Sequence, residues 1–280
     1  MSPEKLLAAI MLVSLTLGAG LQVDRGHLIA SLKNVSLLGR ALLANIVLVP
    51  ALGVALAKLF VLPPKIATGF LLMAIAPGVP FVLAQVRKRG GRLGFAVELA
   101  LVLPIVSVVT IPITAMFVLP AGAEAKIPLS HFLFTLLFFQ IVPLLVGIVV
   151  GARAPKIAER LGRPLQLLFF LSVIALIVVL FPTLVHDVAL VYGSHGMWAM
   201  LCLVLLSLLV GWLLGAPHPQ DRRVLAIGTG LRNIGLCAVL ATTSLRSPTV
   251  TATVLTYFVI QVIVVTLVGV YFSRNPAEAA

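Results

Sequence analysis

Charged residues are scarce in this chain: they make up 10% of its 280 residues, whereas 61% belong to the hydrophobic set. Soluble globular domains carry about 25% charged residues, so this composition lacks the polar surface that a soluble protein of this length needs. The mean hydropathy of +1.20 points the same way. The sequence therefore predicts an all-α integral membrane protein.

Cysteine and acidic residues are also few. Cys202 and Cys237 both lie in apolar runs without a near partner, and the five histidines show no ligand spacing, so neither a disulfide framework nor a metal site is expected. Only Glu98 of the eight acidic residues falls inside an apolar run. An intramembrane enzyme needs several converging acid, base or metal-binding groups. We therefore expect no enzymatic activity, no catalytic residue and no cofactor.

Basic residues are the exception, because they give the chain a net charge of +12. They occur in short tracts between apolar runs, and no basic stripe with interleaved aromatic residues exists, so nucleic acid is not expected as a partner. Such tracts are typical of loops that face the cytoplasm and anionic lipid headgroups. Membrane lipids are the expected neighbours of these charges.

Apolar runs of membrane-crossing length recur along the whole chain. A helix needs about 20 apolar residues to cross the hydrocarbon layer. Nine such runs predict nine transmembrane helices, the first retained rather than removed as a signal. They lie at about 6–23, 37–60, 66–86, 93–119, 131–150, 165–185, 196–214, 224–245 and 249–272.

The Lys and Arg residues orient these spans. If the nine spans alternate in direction, five Lys and Arg residues fall on the N-terminal side of the membrane and fourteen fall on the other side. Arg232 alone stays inside a span, which accounts for all 20 basic residues. Positive charge accumulates on the cytoplasmic side of membrane proteins. The sequence thus predicts a multi-pass protein of the cell (cytoplasmic) membrane, with its N-terminus outside and its C-terminus inside.

Two spans are unsuited to continuous helices. The third contains Pro77, Gly78 and Pro80, which remove backbone donors and loosen a helix. The eighth contains the stretch 228–233 (GTGLRN), with an arginine roughly 13 Å past Arg223 at 1.5 Å per residue. A cation at that depth is costly and normally faces a cavity or a partner. Kinked structural helices are the simplest alternative explanation.

The positions of these two spans indicate an internal repeat. Interrupted segments at corresponding places in two halves are a sequence pointer to a transporter binding site. Spans one to four would match spans six to nine in the opposite direction. We therefore predict a first repeat over 1–120, broken near 77–80, and a second repeat over 121–280, broken near 228–233, with core and panel domains interleaved across both.

Several stretches resemble the bile acid:sodium symporter family in order and spacing. They are LTLGAGLQV (15–23), LLANIVLVPALGVALAKLFVLPP (42–64), APG (76–78) and GTGLRNIGLCAVLA (228–241). The resemblance implies a secondary transporter with a five-plus-five inverted repeat, a panel domain, a core domain and two discontinuous crossing helices. The first family helix is absent, which leaves nine helices.

The family's functional positions carry over only in part. The polar residue of the family's second core helix matches Asn45, and the family's asparagine in the second break matches Asn233. The acidic residue that serves both family sodium sites falls on Gly228. The Gln that directly precedes the family's asparagine falls on Arg232. Other implied ligand positions offer no side-chain oxygen: 79–82 (VPFV), Ala96 and Ala100. A sodium ion stays an option, but most of the family's oxygen ligands are absent.

These substitutions lead to a hypothesis about the substrate. Arg232 places fixed positive charge where the family holds cations, which favours a small organic anion as substrate. Glu98 is the candidate coupling group together with Arg232: it either faces the core cavity and reaches towards that arginine, or pairs with the neighbouring basic loop. The candidate substrate-binding residues are Asn45, Pro77, Gly78, Thr229, Arg232, Asn233 and Gln261.

Other classes stay open at this point. An arsenite-efflux-like carrier would use a reactive core cysteine, for which Cys237 is the candidate, and an auxin-efflux-like carrier would share the inverted repeat. A non-transporting membrane sensor or subunit would explain the loss of the ion ligands.

Overall fold

The computed structural model describes residues 2–23, 35–78, 86, 91–120 and 129–275, and every regular element within these ranges is a helix. Helix α5 runs without a break through Leu129–Leu136, Leu137–Ile141 and Val142–Arg153. The other helices are α1 (Pro3–Leu21), α2 (Val35–Leu59), α3 (Pro64–Ile75), α4 (Leu93–Val118), α6 (Pro155–Gly193), α7 (Gly196–Leu214), α8 (Pro219–Gly230), α9 (Ile234–Leu245) and α10 (Pro248–Arg274).

Seven of the described helices are long and apolar enough to cross a membrane, which makes the chain a multi-pass membrane protein. They are α1, α2, α4, α5, α6, α7 and α10. Helices α3 and α9 are apolar but shorter. Both belong to spans that the sequence marks as interrupted, so neither reaches the length of a full crossing by itself.

The two interruptions have clear local causes. Helix α3 ends at Ile75, and Ala76 turns extended (φ −103°, ψ 96°) directly before Pro77, which cannot donate a backbone hydrogen bond. Helix α8 ends at Gly230, and Leu231 is extended in the same way (φ −87°, ψ 135°). The Asn233 side chain then caps α9 by accepting a hydrogen bond from the backbone N–H of Leu236 at 3.1 Å. Residues 79–80 of the predicted first break lie outside the described residues.

Helix α6 differs from the sequence-based expectation. The tract from Arg153 to Arg163 was expected to connect two spans, but α6 already begins at Pro155 and has 39 residues. Proline is favoured at the first helical position, and the Glu159–Arg163 pair has the favourable i,i+4 order of charges. Hydropathy detects only the apolar centre of this helix, not its polar ends. Helix α8 likewise begins at a proline, Pro219, inside a tract predicted as a loop.

The helices form two groups that meet along one interface. In the first group α1 packs against α5 and α6; in the second, α7 packs against α8 and α10 packs against α3. The groups touch where α6 meets α10 and where α1 meets α9. Glycines permit the closest approaches within each group: a Cβ on Gly20 would lie 2.9 Å from the Cα of Gly147, and a Cβ on Gly211 would lie 2.6 Å from the Cα of Ala226.

Helix ends that the alternation of spans assigns to one side lie together. At one end Arg92, before α4, pairs with Asp221 of α8 at 2.9 Å, and Arg223 donates to the carbonyl oxygen of Phe272 near the end of α10 at 3.0 Å. At the other end, the start of α3, the end of α6 and the start of α10 surround one cavity. The molecule thus has a polar, cation-rich end and an end with an open cavity.

Candidate functional site

The two interruptions cross and bond to each other. Pro77 and Arg232 form an antiparallel bridge, in which the N–H of Gly78 donates to the carbonyl oxygen of Leu231 at 3.1 Å and the N–H of Asn233 donates to that of Ala76 at 3.0 Å. Unpaired backbone groups are costly inside a membrane protein. Each break therefore supplies hydrogen-bond partners that the other break needs.

Gly78 is at this position because the two backbones nearly touch. A Cβ on Gly78 would lie 2.5 Å from both the N and the Cα of Arg232. Real Cβ atoms do not approach backbone atoms so closely, so a larger residue would push the two segments apart. The predicted binding residues Pro77 and Gly78 thus contribute backbone and close contact to the site.

Arg232 is fully buried at the centre of the crossing, with 0% exposure. Its backbone N–H donates to Oε1 of Gln261 at 2.9 Å, and Nε2 of Gln261 donates back to its carbonyl oxygen at 3.3 Å. In the guanidinium, Nη2 donates to the carbonyl oxygen of Thr229 at 2.7 Å, whereas Nε and Nη1 find no hydrogen-bond partner in the described part of the chain. The Tyr257 hydroxyl and the Cys237 thiol lie close enough to interact with it electrostatically.

Asn45 and Thr229 extend the site into α2. Asn45 is fully buried, and its Nδ2 donates to the carbonyl oxygen of Ala41 at 3.0 Å and to Oγ1 of Thr229 at 3.4 Å. No described residue donates a hydrogen bond to its Oδ1. Asn45 lies in a stretch of α2, Leu43–Leu48, that has the wider π-type turn often seen at functional sites. The structure therefore brings Asn45, Thr229, Arg232 and Gln261 together through direct hydrogen bonds.

Asn233 leads to a residue that the sequence analysis missed. Its Nδ2 donates to Oε1 of Gln140 at 3.0 Å, and Nε2 of Gln140 donates to Oγ of Ser107 at 2.9 Å and to the carbonyl oxygen of Pro104 at 3.2 Å. Gln140 is buried and lies in a second π-type stretch, Leu137–Ile141 of α5. A lone glutamine in the apolar run LFFQIV was the available signal.

Glu98 lies elsewhere in the structure. The residue is 3% exposed, and its Oε1 has no hydrogen-bond partner among the residues that the structure describes. The charged groups that act on it are Arg92 and Asp221, and no ion pair joins it to Arg232 among the described residues. Of the two alternatives for Glu98, the described residues show the one beside Arg92, and its role as a coupling group stays a prediction.

The cavity at the other end of the molecule has a volume of about 820 Å³. It is lined by Lys65 and Thr68 of α3, by His186 and Asp187 of α6, and by Thr249 of α10, among other residues. Thr249 donates to Oδ1 of Asp187 at 3.0 Å, which joins the two helix groups. None of the predicted site residues lines this cavity, and the sequence analysis did not anticipate it.

The residues at the family-type sodium positions do not fit a sodium site. Gly228, Ala96 and Ala100 supply no side-chain oxygen, and the Oδ1 of Asn233 is engaged in capping α9. Positions 79–82 lie outside the described residues. Among the residues that the structure describes, no cluster of three or more His, Cys, Asp or Glu side chains could hold a metal ion. Sodium prefers several oxygen ligands, so this donor set is too poor.

Residues 9–194 match the model of the Sodium Bile acid symporter family. The chain belongs to the sodium bile acid symporter family. This confirms the resemblance drawn from the motifs, and membership indicates a membrane transporter. The matched residues include Asn45, Pro77, Gly78 and Gln140, whereas the second break lies beyond them.

Two mammalian relatives share part of this sequence. P3 protein of Mus musculus is 27% identical over 214 residues, and P3 protein of Homo sapiens is 26% identical over 214 residues. In both cases the similarity covers 73% of this chain and 44% of the relative. The chain therefore spans less than half the length of these curated relatives.

Proposed function

We propose that this member of the sodium bile acid symporter family is a secondary transporter that moves a small organic anion by alternating access, with Arg232 as the anion contact. One observation carries the proposal. The Arg232 guanidinium is fully buried at the crossing, and two of its three nitrogens have no hydrogen-bond partner among the described residues.

A buried, incompletely paired cation needs compensation. Leaving a buried charge without a partner costs on the order of 3–5 kcal/mol in proteins. Among the described residues, the groups that act on the guanidinium are the Thr229 carbonyl and the Tyr257 and Cys237 side chains, and they bring no formal negative charge. An anionic substrate would supply that charge, and hydrogen bonds to charged groups contribute about 1.5–3 kcal/mol each. The residues that surround Arg232 therefore favour an anion over a cation.

The two helix groups are the parts that would move relative to each other during transport. In the proposal they correspond to the panel and core of a nine-span inverted repeat, with the N-terminus outside and the C-terminus inside. The cavity between the end of α6 and the starts of α3 and α10 would be the outer entrance. Thr68 in its lining and Pro77 at the crossing are nine residues apart, which is about 14 Å along a helix. Relative movement of the two groups would connect the entrance to Arg232.

Uptake into proteoliposomes tests the proposal. The probes are radiolabelled cholate and radiolabelled benzoate, with sodium and proton gradients imposed separately. We expect saturable uptake of at least one probe without a sodium requirement, and a loss of about tenfold or more in Arg232→Ala because a charge-assisted contact is removed. Arg246→Ala, at an exposed position, is the matched control.

Two results would count against this function. One is uptake by Arg232→Ala that equals uptake by the unmodified protein. The other is strict sodium dependence, which would mean that the family's ion sites persist in a form that the described residues do not supply.

A further inference from the structure

An ion pair at the cation-rich end joins α4 to α8. The Nε of Arg92 lies 2.9 Å from Oδ1 of Asp221, whose side chain is almost completely buried. The Arg92 guanidinium also lies over the ring of Phe95, 5.8 Å from its centroid. Arg40 of α2 and His218 contribute further positive potential at Asp221. The position of Arg92 is thus determined by contacts with both helices.

Glu98 is the second buried carboxyl group of this cluster. It lies six residues after Arg92, and it experiences attraction from Arg92 and repulsion from Asp221. No other charged group of the described residues, including those of α2, α3 and α5 that pack against α4, acts on it. Arg92 already pairs with Asp221, and among the described residues it is the one cation that attracts Glu98, so the two buried carboxyl groups share it.

This arrangement penalises an ionised Glu98. Its buried Oε1 accepts no hydrogen bond from the described residues, and a buried carboxylate oxygen without a donor disfavours the ionised form relative to the neutral form. The repulsion from Asp221 adds to this penalty, because two neighbouring carboxyl groups rarely ionise together. Protonation of Glu98 removes both costs without a change in the contacts between α4 and α8.

We propose that Glu98 is a proton-binding site of this transporter, occupied while Arg92 and Asp221 hold α4 against α8 and emptied when that contact opens to water. On opening, the O–H bond of Glu98 breaks and the proton passes to water. The resulting carboxylate then accepts a hydrogen bond from an N–H of Arg92. The inference rests on the proposed function, which requires the helices to move. Because a proton that accompanies a monovalent anion moves no net charge, such transport would be insensitive to membrane potential.

Infrared spectroscopy detects the proton without a substrate. The sample is the full chain in phosphatidylcholine vesicles, and the signal is the C=O stretching band of a protonated carboxyl group at neutral pH. We expect this band in the unmodified protein, its loss in Glu98→Gln, and its retention in Glu159→Gln, which alters an exposed carboxyl group of α6. A band that is the same in Glu98→Gln as in the unmodified protein would overturn the inference.

Asp221→Asn provides a second test with a defined sign. This change removes the repulsion and frees Arg92 to pair with Glu98, so the midpoint pH of the band should fall by about one unit or more. An unchanged or higher midpoint would contradict the shared-cation arrangement. Both measurements are independent of anion uptake. A lost band with normal Arg232-dependent uptake would count against the proton site alone, and an intact band without anion uptake would count against the proposed function alone.

Discussion

The two interruptions meet at one crossing, but they are built from different parts. Ala76, Pro77 and Gly78 contribute apolar side chains, backbone hydrogen bonds and a close approach. The second interruption, Leu231 to Asn233, contributes a buried guanidinium and a buried amide in addition to its backbone. The two interruptions thus have different roles at one crossing. The first interruption holds the geometry, and the second carries the polar chemistry.

The largest effect should come from filling the contact at Gly78. In Gly78→Ala the new methyl group would overlap the backbone of Arg232, and we expect a loss of roughly 3 kcal/mol, the upper end for overpacking. The measurement is thermal unfolding in detergent, with Gly39→Ala as control because a Cβ at that position meets no described atom within 4 Å beyond its chain neighbours and its own helix backbone. Equal melting temperatures for the two variants would show that the crossing is not tightly packed.

A smaller effect is expected at the amide pair of the second interruption. Asn233→Leu and Gln140→Leu each leave a buried polar partner unsatisfied, at about 1–3 kcal/mol apiece. The double variant should cost less than the sum of the two, because the shared hydrogen bond is lost only once. Loss of the α9 cap occurs in both backgrounds and therefore cancels in this cycle.

Thermal unfolding of the four proteins in the cycle gives the coupling. Ser172→Ala is the control, since the hydrogen bond of the Ser172 hydroxyl to the Leu168 carbonyl stays within one helix. Strictly additive losses for Asn233→Leu and Gln140→Leu would show that the 3.0 Å contact between their side chains contributes nothing to stability.

The smallest effect on substrate affinity should come from the first interruption. Pro77→Ala keeps a small apolar side chain at the bridge with Arg232 and leaves the guanidinium in place. Anion uptake should therefore change by no more than about twofold, because the substitution removes no hydrogen bond to a charged group. If Pro77→Ala abolished uptake while the protein remained folded, the division of tasks between the two interruptions would be incorrect.

The sequence predicted these interruptions because their causes are local. Pro77 cannot donate a backbone hydrogen bond, and Arg232 is a cation in an apolar run. Both properties are visible without knowledge of any partner. Composition alone likewise predicted a membrane protein. The structure confirms this, because seven described helices have the length and apolarity of a membrane crossing.

Features that depend on residues distant in the chain could not be predicted from the sequence. Gln140 looked like an isolated polar residue until α5 placed it beside Asn233 and Ser107. Two environments stayed open for Glu98, because the rotation of α4 about its axis decides which neighbour the side chain meets, and that rotation depends on packing against several other helices. The polar ends of α6 were missed because hydropathy reports only its apolar centre.

Direct binding of an anion to purified protein tests the central claim about Arg232 most directly. Radiolabelled cholate and benzoate would be bound to the unmodified protein and to Arg232→Lys, Arg232→Ala and Arg246→Ala in detergent. We predict that Arg232→Ala weakens binding of the transported anion by about tenfold to a hundredfold, that Arg232→Lys weakens it less, and that Arg246→Ala leaves it unchanged. Equal affinity in Arg232→Ala and the unmodified protein would contradict the assignment of Arg232 as the anion contact.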